Sequence, residues 1–131
     1  MPLRIFLVDD DATLRDYLTE LLVSEAEVTL VGTAETEAEA REWLLNNSQG
    51  WDIALVDLFL AEGSGVGVVG LCRNRSPEQT LLVMTNHARD PLLFKCKLMG
   101  ADEVYEKATQ LEDMVAYCVG RAVQPPRALW H

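Results

Sequence analysis

Ile53-Ala54-Leu55-Val56-Asp57 is an unbroken apolar run that ends abruptly in a carboxylate. It is too short for a mid-sized helix and rich in β-formers, so it reads as a buried parallel strand. Leu3 to Val8 is a second run of this kind, closed by Asp9-Asp10-Asp11, and Leu81 to Met84 is a third, closed by Thr85. Buried parallel strands need helices on both faces, which restricts the chain to a layered α/β architecture. Three of them finishing in acid, acid and hydroxyl place the chemistry at one edge of a sheet.

The segments between the runs supply those helices. After the first strand, Leu14, Tyr17, Leu18, Leu21 and Leu22 form an inward stripe, with Asp10 or Asp11 as the cap. Val28 to Thr33 reads as a second strand. Thr36-Glu37-Ala38-Glu39 is a capping-box signature opening a helix that turns Ala40, Trp43 and Leu44 inward. Gly65 to about Arg75 reads as a third helix, weakened by its glycines, and Pro77 separates it from the strand at Thr80–Met84. Asp90-Pro91 opens a fourth helix that Gly100 terminates. Glu103-Val104-Tyr105 is a short fifth strand. Thr109-Gln110-Leu111-Glu112 is a second capping box, followed by the stripe Leu111, Met114, Val115, Cys118, Val119 and Ala122.

Strands and helices thus alternate strictly, which gives right-handed crossovers and a parallel sheet. At 131 residues a closed eight-fold barrel, which needs roughly 250 residues, is excluded. An open, doubly wound sheet fits. Residues 1–124 form one domain, and 125–131, opened by Pro125-Pro126, are a short tail or truncated linker.

A formal net charge of -10 opposes direct contact with nucleic acid or an anionic membrane. Cys72, Cys96 and Cys118 are odd in number and far apart, as expected of reduced, buried thiols in a cytoplasmic protein. No apolar run approaches a membrane span, and no signal peptide is apparent.

Ligands in open sheets bind beyond the carboxyl ends of the strands, where the strand order reverses. For the order 2-1-3-4-5, Asp9, Asp10 and Asp57 face each other there, with Thr85 and Lys107 at the ends of the next two strands. At about 4 Å and an effective dielectric near 20, each pair of like charges costs on the order of 4 kcal/mol. A divalent cation offsets that cost, and Mg2+ suits one or two carboxylates completed by water and phosphate oxygens.

Taken together, these motifs resemble a two-component response-regulator receiver domain from Leu3 to about Val123. The resemblance is carried by Phe6-Leu7-Val8-Asp9-Asp10, by Asp57 in Asp-Leu-Phe-Leu-Ala-Glu-Gly-Ser-Gly, by Thr85, and by Gly100-Ala101-Asp102 followed by Lys107. It implies the flavodoxin-like (βα)5 fold with strand order 2-1-3-4-5. It also implies that Asp57 is the phosphoacceptor, served by a histidine kinase or histidine phosphotransfer protein. Asp10 matches the direct metal ligand, Asp9 a ligand acting mainly through water, and the Phe59 carbonyl the third protein ligand. Thr85 and Lys107 match the hydroxyl and ammonium that bind the phosphoryl group. Partners in this family dock near the first helix and on the last two helices, and a homodimer through that second face is allowed. The output is a downstream protein target or a detached output domain.

The chain departs from the family pattern at named positions. The aromatic switch position, three residues before the lysine, is Val104; Tyr105 is adjacent but points to the opposite face by strand alternation. Ala108 replaces the usual proline, so the preceding bond is either trans or a strained cis. Phe59, Asn86 and His87 occupy positions that influence autodephosphorylation, and a bulky Phe59 is expected to slow hydrolysis.

Each residue also has a plainer reading: Asp10 or Asp11 as a cap, Asp57 as a loop acid, Thr85 as a cap, Lys107 as a solvated cation. Gly63 to Gly67 reads as a turn, since no Gly-Lys-Ser/Thr follows. Asp9-Asp10-Asp11-Ala12-Thr13 also resembles the first motif of haloacid dehalogenase-type phosphatases, with Asp9 as nucleophile and Asp11 as general acid. That reading leaves Asp57 without a role. A third alternative is an interaction module that signals without phosphate.

Overall fold

The computed structural model describes residues 2–24, 27–86 and 90–123. Five strands, β1 (Leu3–Val8), β2 (Val28–Ala34), β3 (Ile53–Asp57), β4 (Thr80–Thr85) and β5 (Glu103–Glu106), alternate with five helices. These are α1 (Ala12–Val23), α2 (Glu37–Asn46), α3 (Gly65–Leu71), α4 (Asp90–Leu98) and α5 (Leu111–Ala122), with a 3-10 turn at Cys72–Asn74 closing the third helical segment. The sheet is wholly parallel in the order β2-β1-β3-β4-β5. This is the expected flavodoxin-like receiver fold.

Strand alternation divides the core in two. Phe6, Val8, Ala54, Val56, Leu81 and Val83 face Ala40 and Leu44 of α2, Val68 and Val69 of α3 and Cys96 of α4. Ile5, Leu7, Ile53, Leu55, Leu82 and Met84 face Leu18 and Leu22 of α1 and Met114 and Cys118 of α5. Both faces are covered, which is why the central strands read as near-continuous apolar runs, with Arg4 the one charge inside β1. Trp43 stacks on Phe6 at a centroid separation of 4.0 Å, and Gly32 leaves it room, since a Cβ there would overlap the indole.

One open alternative is settled and two local expectations change. Asp11, and not Asp10, caps α1, accepting from Leu14 N–H at 3.2 Å. Tyr17 is 47% exposed; the stripe is wider than the face that α1 buries. The second capping box does not form. Gln110 stands at the N-cap without a side-chain bond to the helix, because its Oε1 accepts from Glu106 N–H at the end of β5. The first box does form: Thr36 accepts from Glu39 N–H at 3.1 Å, while Glu39 reaches back to Glu35 N–H at 3.0 Å.

All three cysteines are buried and unpaired. Among the described residues no helix is long and apolar enough to cross a membrane. The expected tail at 125–131 lies outside the described residues.

Candidate functional site

A parallel sheet delivers all its carboxyl ends to one edge. There β1 releases Asp9 and Asp10, β3 ends in Asp57, β4 ends in Thr85, and Lys107 follows β5. Asp9 is fully buried. Its N–H donates to Ala34 O at 3.0 Å and its Oδ1 accepts from Asp11 N–H at 2.8 Å, fixing the turn into α1. With Asp11 engaged as the helix cap, Asp10 is left to turn toward β3, where its Oδ2 accepts from Ala61 N–H at 2.5 Å. One oxygen each from Asp9, Asp10 and Asp57 lie within 4.8 Å of one another.

Lys107 faces this cup. Its ammonium donates to Asp57 Oδ2 at 3.0 Å and lies 2.9 Å from Asp9 Oδ2. Burial pushes the Asp57 carboxyl above the usual range; Lys107 opposes that shift and Asp9 reinforces it. Burial disfavours the Lys107 charge, yet contact with Asp9 and Asp57 outweighs it and raises the ammonium above its ordinary value.

Three carboxylates against one ammonium leave the cup negative. Asp9 Oδ2 is sealed from solvent and, although paired in charge with Lys107, has no well-aligned hydrogen bond. An all-oxygen donor set with one partly exposed member, Asp10, fits a hard divalent cation that retains water, such as Mg2+.

The other expected site residues fall as follows. Thr85 is fully buried, and its carbonyl accepts from Lys107 N–H at 2.9 Å, joining the ends of β4 and β5. Phe59 N–H donates to Asp57 Oδ1 at 3.2 Å while its side chain is 55% exposed. Asn86 is exposed. His87 lies outside the described residues. Val104 is buried on the α2–α4 side, whereas Tyr105 packs on the α1–α5 side, where burial pushes its phenol up to about 12. Tyr105 therefore points away from the face carrying Val83 and Val104, as alternation required. The Lys107–Ala108 bond is trans.

Two residues at this edge went unread in the sequence. Arg15 donates to the Asp9 carbonyl at 2.8 Å and to Glu35 at 2.7 Å, bracing the β1–α1 turn. Glu37 accepts from Ser64 N–H at 2.8 Å in the loop after Asp57. Both lie on polar helix faces, where sequence shows a charge and not what it touches.

The response regulator receiver domain model matches residues 5–118. The chain belongs to that family. Among curated relatives, this receiver is 31% identical over 98 residues to the DNA-binding transcriptional activator DevR/DosR of Mycobacterium tuberculosis, covering 75% of this chain and 44% of that protein. It is 31% identical over 108 residues to a cyclic di-GMP phosphodiesterase of Thermotoga maritima, covering 82% and 28% respectively. The receiver thus spans less than half the length of these relatives, which carry different outputs. In fold it matches a chain of the CheX–CheY–BeF3–Mg2+ complex from Borrelia burgdorferi with a TM-score of 0.77 and 20% identity, over 89% of this chain and 90% of that one. The family match does not favour the phosphatase alternative, which has no task for Asp57.

Proposed function

We propose that this receiver is the phosphoacceptor of a two-component phosphorelay, taking a phosphoryl group on Asp57 from the phosphohistidine of a histidine kinase or phosphotransfer protein. The single observation that carries the reading is the convergence of Asp9, Asp10 and Asp57 within 4.8 Å beneath the Lys107 ammonium. An Asp57 oxygen attacks phosphorus as the P–N bond breaks, and the imidazole leaves with the bonding pair. Lys107 follows the charge from the carboxylate to the new phosphoryl oxygens. Asp10, Asp57 and the Phe59 carbonyl, with Asp9 through water, would hold Mg2+, which would supply charge neutralisation at the phosphoryl group. Thr85 supplies a hydroxyl to the phosphoryl group, and Asn86 and His87 modulate its hydrolysis.

The added charge of roughly -1.5 to -2 then shifts the populations of the surrounding loops and changes partner binding. The α4 and α5 face is the surface for a downstream protein or a second copy, and Phe94 and Leu98, both well exposed on α4, support it. We place this phosphoacceptor in the cytoplasm, with no turnover of external substrates.

Intact-mass measurement after exposure to acetyl phosphate and Mg2+ tests the reading. Wild type gains one phosphoryl group, while Asp57→Asn, or wild type with excess chelator, gains none. A wild-type protein that stays unmodified under these conditions overturns it.

A further inference from the structure

Glu37, the first residue of α2, has no part in the chemistry above, yet the loop between β3 and α3 closes upon it. Its Oε1 accepts from Ser64 N–H at 2.8 Å and its Oε2 from Arg41 at 3.1 Å. Its own N–H donates to Glu62 O at 3.2 Å. Two glycines make room for the side chain: a Cβ on Gly63 or on Gly67 would overlap it. These contacts draw its carboxyl below the usual range, first through the Ser64 N–H and then through Arg41.

The same loop is held at a second point, where Asp10 accepts from Ala61 N–H at 2.5 Å. Between the cup and these two holds lies Phe59. A cation that draws on Asp10 competes with Ala61 N–H for that carboxylate, and the loop is then held to α2 by Glu37, through its carboxylate on Ser64 N–H and its own N–H on Glu62 O. We infer that Glu37 is a positioning residue for the cation cup, fixing the β3–α3 loop so that the Phe59 carbonyl stays in place when Asp10 engages the metal. This rests on the reading of Asp57 and Phe59 given above.

Gly67→Ala separates positioning from folding. The three atoms nearest the Cβ it adds all belong to the flexible end of Glu37, so it expels the carboxylate while improving helix propensity. Mg2+ titrations followed by amide NMR compare wild type, Glu37→Ala, Glu37→Gln, Gly67→Ala and the Glu37→Ala/Gly67→Ala double variant. Glu37→Ala and Gly67→Ala each weaken Mg2+ binding about fivefold, the equilibrium weight of one hydrogen bond, and shift the Ser64 amide resonance. Glu37→Gln keeps an acceptor for Ser64 and stays within about twofold of wild type, and the double variant is no weaker than Glu37→Ala. Modification by acetyl phosphate slows at low Mg2+ and recovers at saturating Mg2+. Wild-type Mg2+ affinity in variants whose Ser64 amide has shifted overturns the assignment, as does additivity in the double variant. A wild-type protein that binds no Mg2+ refutes the cup itself, and this inference with it.

Discussion

Lys107 holds its ammonium 3.0 Å from Oδ2 of Asp57, so the expected nucleophile is already charge-paired before any phosphoryl group arrives. The ammonium also lies 2.9 Å from Asp9 and stands where added positive charge is most strongly repelled. On the proposed reading, one residue thereby competes with a cation for the cup and serves the charge that phosphorylation would create. Those two tasks have opposite signs in a binding experiment.

Lys107→Met keeps the bulk of the side chain and removes the charge. Mg2+ binding is expected to tighten about tenfold, the equilibrium weight of about 1.4 kcal/mol of relieved repulsion. Modification by acetyl phosphate is expected to slow about a hundredfold through loss of one charge-stabilising donor. Calorimetry and intact-mass time courses on the same sample check both. A parallel fall in affinity and rate would show that Lys107 supports the cup and does not compete for it.

Burial raises the Asp57 carboxyl above its ordinary value of 3.8. Between that value and the raised one, the native state binds the proton more firmly than the unfolded chain does. Stability therefore falls as pH rises through that window, and above it the Asp57 charge is a standing cost. Asp57→Asn removes the charge, so in metal-free buffer at pH 7 the variant is expected to melt a few degrees above wild type. The gap closes as pH falls toward the ordinary value. Added Mg2+ stabilises wild type more than the variant. Melting curves against pH decide the point, and a variant that melts lower at pH 7 would mean that Lys107 outweighs burial.

The strands were legible because the central ones are apolar but for their ends and for Arg4, which pairs with Asp52 near the start of β1, a pattern that two-sided burial demands. The site followed from where those runs stop. Local polar chemistry was harder to read. Thr36 and Thr109 open near-identical capping signatures, yet only Thr36 caps its helix, because Gln110 is diverted to Glu106 N–H. Tyr17 continues an apolar stripe and is half exposed, since periodicity gives a helix face but not how far the neighbouring elements reach over it. Gly63 and Gly67 read as turn residues, but Gly67 lies within α3, and the space both leave for Glu37 depends on a contact between distant parts of the chain.

Phe59 leaves its ring largely in solvent while its N–H donates to Asp57. A large apolar side chain at that position is expected to restrict the approach of water to the aspartyl phosphate. Phe59→Asn keeps the backbone donor and opens the approach, so the phosphoryl lifetime is expected to shorten about tenfold, or about 1.4 kcal/mol in barrier. Decay of the phosphorylated mass after removal of acetyl phosphate measures it. An unchanged lifetime would assign the ring to partner contact instead of shielding.

The glycines of α3 and α5 look alike in sequence and do different things in space. Gly65 lies against β3, where a Cβ would overlap the Asp57 carbonyl and the Leu58 backbone, neither of which can yield without moving Asp57. Nothing lies within 4 Å of a Cβ built on Gly70 or Gly120, so these two carry only the entropic penalty of glycine in a helix. Gly70→Ala and Gly120→Ala are each expected to stabilise the fold by about 0.5–1 kcal/mol without changing Mg2+ affinity. Gly65→Ala is expected to destabilise it by about 2 kcal/mol or more and to slow Asp57 modification, because the end of β3 must shift. Urea unfolding of the three variants beside wild type tests the contrast, and a well-folded, normally modified Gly65→Ala protein would show that α3 can retreat from the cup at little cost.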